Sequence, residues 1–157
     1  MNLATTVSYA VRKAAYVRER KTIAARMWRR AIHGLASLQD KSLSKFTSGT
    51  FAKSVVSDAQ AAVVFSFWAY LYDREQDPSH KTVRWSPERL CRMATAFDPE
   101  WRRWLPTVRS FPQFHVFDSL DDFTFRQAVS SVAKMRVLCE QLLDEADLNM
   151  VPEDFVW

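Results

Sequence analysis

Glycine is almost missing from this chain: two residues in 157, against a usual share of roughly 7%. Tight hairpin turns draw on glycine for their positive φ angles, so a β-rich fold is disfavoured. The same scarcity leaves no G-x-x-x-x-G-K or G-x-G-x-x-G loop to cradle a phosphate, which excludes nucleotide hydrolysis by those routes. Cysteine is equally sparse. Cys91 and Cys139 match no paired spacing for zinc or redox chemistry and read as small buried hydrophobes. The three histidines, His33, His80 and His115, are scattered, so no metal or other cofactor is expected. No uninterrupted apolar run reaches the ~20 residues that span a bilayer; the longest, from Ala59 to Leu71, contains Gln60 and Ser66. A membrane partner is therefore not expected.

What is present is ordinary for a folded domain: 48% hydrophobic and 25% charged residues in 18.3 kDa. One soluble domain spanning 1–157 is the expectation. Aromatics are plentiful, with 11 Phe, 6 Trp and 4 Tyr, and can serve either a core or an interface.

Charge is distributed unevenly. Residues 1–34 hold Arg12, Lys13, Arg18, Arg20, Lys21, Arg26, Arg29 and Arg30 against Glu19 alone, a net +7 that leaves −3 for the remainder of a +4 chain. From Glu140 onward there are six acids and no Lys or Arg. Residues 1–18 contain no acid and carry Ser, Thr and Arg, as mitochondrial transit segments do. The apolar repeat runs well past any usual cleavage point, so an ordinary basic helix in an intracellular, cytoplasmic setting is preferred and mitochondrial targeting is the lesser alternative.

Apolar or small residues four and three apart, from Leu3 through Val7, Ala10, Ala14, Val17, Ala24, Trp28, Ala31 and Leu35 to Leu38, predict a basic helix over about 3–38, broken near Gly34 or projecting at one end. A loop at 40–49 precedes a second helix starting near Thr50 and running to about Glu75, apolar nearly all round, as a central bundle helix would be. Ser86-Pro87-Glu88 and Asp98-Pro99-Glu100 start two short helices. Pro106 and Pro112 bound an aromatic loop with Phe111, Phe114 and Phe117. An acidic last helix is expected over about 119–149, with Phe125, Ala128, Val132, Met135, Cys139, Leu142 and Ala146 as its buried stripe. The fold class is all-α: an irregular four-helix-type bundle with two long helices, one apolar central helix and short connecting helices.

Two constellations point to binding. Arg12, Lys13, Arg18, Arg20, Arg26, Arg29 and Arg30 form a basic helix suited to a nucleic-acid backbone or an acidic protein surface. Trp85, Trp101, Arg102, Arg103 and Trp104 form an aromatic and arginine cluster suited to stacking or to anchoring a protein partner. Both have a bland counterpart, namely a solvated or internally neutralised face and a pair of core tryptophans. The expected function is a non-catalytic binding or structural subunit of a larger protein or nucleoprotein assembly, with homo-oligomers as one form. A protein adaptor or inhibitor without nucleic acid is the alternative, and a helical enzyme lacking a known motif is the third. No motif carries a resemblance to a known family.

Overall fold

The computed structural model describes residues 3–38, 45–75, 86–112 and 125–148. They are all-α: α1 (Leu3–Ser37), α2 (Lys45–Asp73), α3 (Pro87–Thr95), a 3-10 helix (Pro99–Trp104), α4 (Leu105–Arg109), α5 (Phe125–Leu142) and α6 (Glu145–Leu148). No strand occurs among the described residues.

α1 runs unbroken for 35 residues, about 52 Å at 1.5 Å per residue. The break expected near Gly34 does not occur. Instead Gly34 makes room for a side chain of α2: a Cβ there would lie 2.5 Å from Val55 Cγ2. The two helices are antiparallel, since Lys13 meets Glu75, Tyr16 meets Tyr72, Arg30 meets Asp58 and Gly34 meets Val55. Ala24, Ala25, Trp28, Ala31 and Leu38 are buried along this seam, as the spacing predicts. From Val7 to Ala14 it is not. Val7 is 59% and Val11 63% exposed, and Ala10 and Ala14 are exposed with them, although Lys13 and Tyr16 on another side of the same turns still reach Glu75 and Tyr72.

α2 begins at Lys45, earlier than Thr50. Thr50 lies inside the helix and does not cap it. Thr50–Asp73 is long and apolar enough, by length and composition alone, to cross a membrane, and 50% of that apolar stretch is buried in the protein. Counting only unbroken apolar runs missed this, because Ser and Gln lower the average less than they interrupt a run. A core helix enclosed by neighbours meets the same criterion, and α2 contacts α1, α3 and α5. Phe67 and Leu71 are fully buried on it; each contributes about 1.5–3 kcal/mol by leaving water. Past Asp73 the chain turns at Glu75, whose φ of 63° ends the helix.

The short helices start where their caps predict. Ser86 Oγ accepts from the Arg89 N–H, and Asp98 Oδ1 accepts from the Glu100 N–H. Pro106 does not bound a loop; it lies in the first turn of α4, where its missing N–H costs nothing. This segment runs back along α2, since Trp101 packs on Phe67 and Tyr70 while the Pro112 carbonyl accepts from Gln60 Nε2 at 2.7 Å. α5 can then run parallel to α2, with Cys139 against Ser66 and with Gln141 and Leu142 facing Tyr70 and Asp73 across a cleft.

The expected last helix is in fact two. α5 stops at Leu142 and α6 starts at Glu145, because Asp147 reaches back to accept from the Asp144 N–H at 3.1 Å, the reverse arm of a capping box. The break shifts the helical phase. Ala128, Val132, Met135, Cys139 and Leu142 are buried as expected, but Ala146 is exposed and Asp147 is buried in its place. Positions 119–124 and 149, like Phe114 and Phe117, lie outside the described residues.

Candidate binding face

Three basic residues of α1 are answered by the chain's own carboxylates. Lys13 Nζ donates to Glu75 Oε1, with the Tyr9 hydroxyl donating to Oε2 at 2.7 Å. These two donors hold the Glu75 carboxyl below its ordinary range. Lys21 pairs at 3.2 Å with Asp147, whose side chain is only 9% exposed. Arg30 pairs with Asp58 at 3.0 Å; burial raises that carboxyl above its ordinary range while the guanidinium opposes the rise.

Two further cations meet a backbone carbonyl and aromatic rings. Arg29 Nε donates at 2.9 Å to the carbonyl of Leu148, at the C-terminal end of α6 where the helix dipole favours a cation. Arg20 turns away from solvent onto aromatic faces, 4.6 Å from the Tyr16 ring centroid, 4.8 Å from Trp68 and 6.0 Å from Phe65. Its buried Nε has no hydrogen-bond partner among the described residues, so ring contact holds this charge in place. Sequence reasoning placed Arg20 in the basic face. Tyr16, one helical turn before it, was the available signal for an arginine folded onto a ring.

Lys13 and Arg20 therefore face α2. Arg12, Arg18 and Arg26 remain exposed on α1, interrupted by Glu19, whereas Arg29 and Arg30 reach α6 and α2. Among the described residues Arg12 Nε donates to the Ser8 carbonyl one turn back. From Arg12 to Arg26 the stripe spans about 21 Å at 1.5 Å per residue. Asp147 of the C-terminal region bridges to α1. Glu140 pairs within its own helix, with Arg136 at 2.7 Å, and Asp144 and Glu145 are exposed.

The aromatic cluster separates into two parts. Trp101 is 7% exposed and packs edge-on against Phe67 and Tyr70, so it belongs to the core. Trp104 is half-buried with Arg103 5.2 Å over its ring, while Arg102 and Arg103 face water. Trp85 lies outside the described residues.

Burial pushes the Cys91 thiol up to about 11 and the Cys139 thiol up to about 12, the reverse of what a nucleophilic thiolate needs. No group of three metal-ligating side chains occurs among the described residues. A shallow open cleft of about 330 Å³, lined by Val17, Lys21, Tyr70, Asp73, Arg74 and Gln141, lies where α1, α2 and α5 meet. The chain matches no protein-family model, no curated protein and no solved structure.

Proposed function

We propose that this protein is a non-catalytic binding or structural subunit that lays the outer side of α1 along a polyanion, a nucleic-acid backbone or an acidic protein surface, within a larger assembly. One observation carries the reading. After Lys13, Lys21 and Arg30 have met carboxylates of the chain, Arg29 a carbonyl and Arg20 aromatic rings, Arg12, Arg18 and Arg26 still face solvent along α1. A polyanion that neutralises such a stripe releases its own counterions, which makes the affinity steeply salt-dependent. α1, α2, α5 and the returning α3–α4 segment are read as the four members of an irregular helical bundle in one domain, with α1 at its edge. The buried thiols with raised pKa values support the non-catalytic part of the reading.

The test is fluorescence anisotropy of labelled duplex DNA, single-stranded RNA and heparin, titrated with the protein over a series of salt concentrations. Wild-type protein binds, with a log-log salt slope of about one unit per phosphate contacted. Arg18→Gln combined with Arg26→Gln lowers the slope by about two units, whereas Lys13→Gln leaves it unchanged. Absence of binding to all three probes at low salt refutes the proposal. The adaptor alternative retains Arg102, Arg103 and half-buried Trp104 but loses Trp101 to the core, which weakens it.

A further inference from the structure

Basic side chains also gather on a second surface, across α2 from α1. A helix turns about 100° per residue, so residues seven apart share a side and residues two apart lie on nearly opposite ones. Asp58, Phe65 and Tyr72, spaced by seven, meet Arg30, Arg20 and Tyr16 of α1. Gln60, Phe67 and Tyr70, each two positions from one of these, meet Pro112 and Trp101 of the returning segment. The Cys91 thiol donates to the Trp101 carbonyl and sets α3 on that same side. α1 and the α3–α4 segment therefore flank α2 from opposite sides. Packed helix axes lie 8–10 Å apart, which puts about 16–20 Å between the axes of α1 and α3 and more between their outward side chains.

Residues 86–112 carry Arg89, Arg92, Arg102, Arg103 and Arg109 against Glu88, Asp98 and Glu100. Asp98 caps the 3-10 helix, and Glu100 pairs with Arg103 at 3.3 Å. Glu88 gathers two arginines from different helices. Arg92 Nε and Nη2 donate to its Oε1 at 3.1 and 2.8 Å, and Arg109 Nε donates to the same oxygen at 2.9 Å. Two guanidiniums are thus fixed side by side on a single negative charge, with their side chains 58% and 50% exposed. Lys134 Nζ of α5 donates at 3.3 Å to Ser110 Oγ, next to Arg109, and adds a third cation. Cations held this close together favour an oxyanion between them, and the planar fork of arginine matches two oxygens of a phosphate.

We infer that Arg92, Arg109 and Lys134 form a second phosphate-binding surface, and that one copy of the chain holds two nucleic-acid segments, one along α1 and one across the α3–α4 side. This inference rests on the polyanion reading of α1. A nucleic acid fits both surfaces better than an acidic protein does. Its backbone offers the same repeating phosphate to two surfaces of unlike shape, a stripe along one helix and a cluster drawn from three. A straight duplex lying on α1 cannot reach the cluster, because the core helix stands between them, so the second surface takes a separate segment.

The test uses protein freed of nucleic acid, duplex DNA fixed to beads and a second, fluorescent duplex in solution at low salt. Wild type retains the fluorescent duplex on the beads. Arg92→Gln combined with Arg109→Gln keeps its circular dichroism spectrum and still binds a lone duplex in anisotropy, but retention falls to that of protein-free beads. Glu88→Gln keeps an acceptor oxygen for both arginines and removes its charge, so retention persists to higher salt than in wild type. Failure of wild type to bind a lone duplex overturns the polyanion reading and this inference together. Binding of a lone duplex without retention of the second overturns this inference alone. Three further outcomes also overturn it: undiminished retention by the double variant, which means that copies join elsewhere; retention lost in Glu88→Gln; or retention of fluorescent polyglutamate in place of the duplex, which assigns the surface to an acidic protein.

Discussion

The two ends of α1 obey one sequence pattern and meet opposite fates. The same small and apolar spacing continues from Val7 to Leu38, yet Ala24, Trp28 and Ala31 are buried while Val7, Ala10 and Ala14 stand in solvent. Periodicity states which side of a helix is suited to contact. Whether a contact exists depends on how far the neighbouring helices extend, and α5, whose end shares a cleft with Val17 and Lys21, stops at Leu142. The charges divide in the same way. Lys21 and Arg30 are paired across the buried part, and Arg12 near the free end donates to its own helix backbone.

The largest contrast comes from truncating each end. Trp28→Ala empties a core position and costs about 3–5 kcal/mol, whereas Val11→Ala stays within about 0.5 kcal/mol; urea unfolding of both variants measures the gap. If the two costs prove equal, the Val7–Ala14 part of α1 is not solvent-facing in solution. Next in size is Gly34→Ala, which sets a methyl against Val55 Cγ2. Overpacking of that kind costs about 1–3 kcal/mol, read as a lower melting temperature in calorimetry, and pairing it with Val55→Ala recovers most of the loss.

The smallest effect is at Glu75. Its carboxyl is held below the ordinary value of 4.5 by Lys13 and Tyr9, so its contribution to stability is complete above that pH and disappears as pH falls through the lower folded-state value. Thermal unfolding of Glu75→Gln between about pH 7 and pH 2 should therefore show a small deficit at neutral pH that closes in acid. A deficit that persists at the acidic end would mean that the interaction is not ionic.

Much of the fold was legible in local chemistry. The α1 stripe, the Ser86 and Asp98 caps and the apolar α2 all follow from side chains acting within one or two turns. The errors arose where a residue's role depended on something distant or on a competing local bond. Asp147 looked like one more solvated acid, but it caps Asp144, pairs with Lys21 and divides the expected last helix. Arg20 counted as surface charge because the rings of Phe65 and Trp68 that receive it lie on another helix. Trp101 could have been anchor or core, and only the return of the 3-10 helix along α2 decides for core. The exposure of Arg12 and Arg26 was legible, since opposition to the apolar stripe is a property of helix geometry alone, whereas the pairing of Arg30 with Asp58 of α2 was not.

One of the chain's two glycines lets the Val55 side chain of α2 press against the backbone of α1 at Gly34. Helices in such close register cannot slide or pivot independently, so the free turns at the start of α1 are held like the exposed end of a clamped beam. Whatever settles on that end meets a surface already ordered when the protein folded, and little conformational freedom remains to be lost on contact.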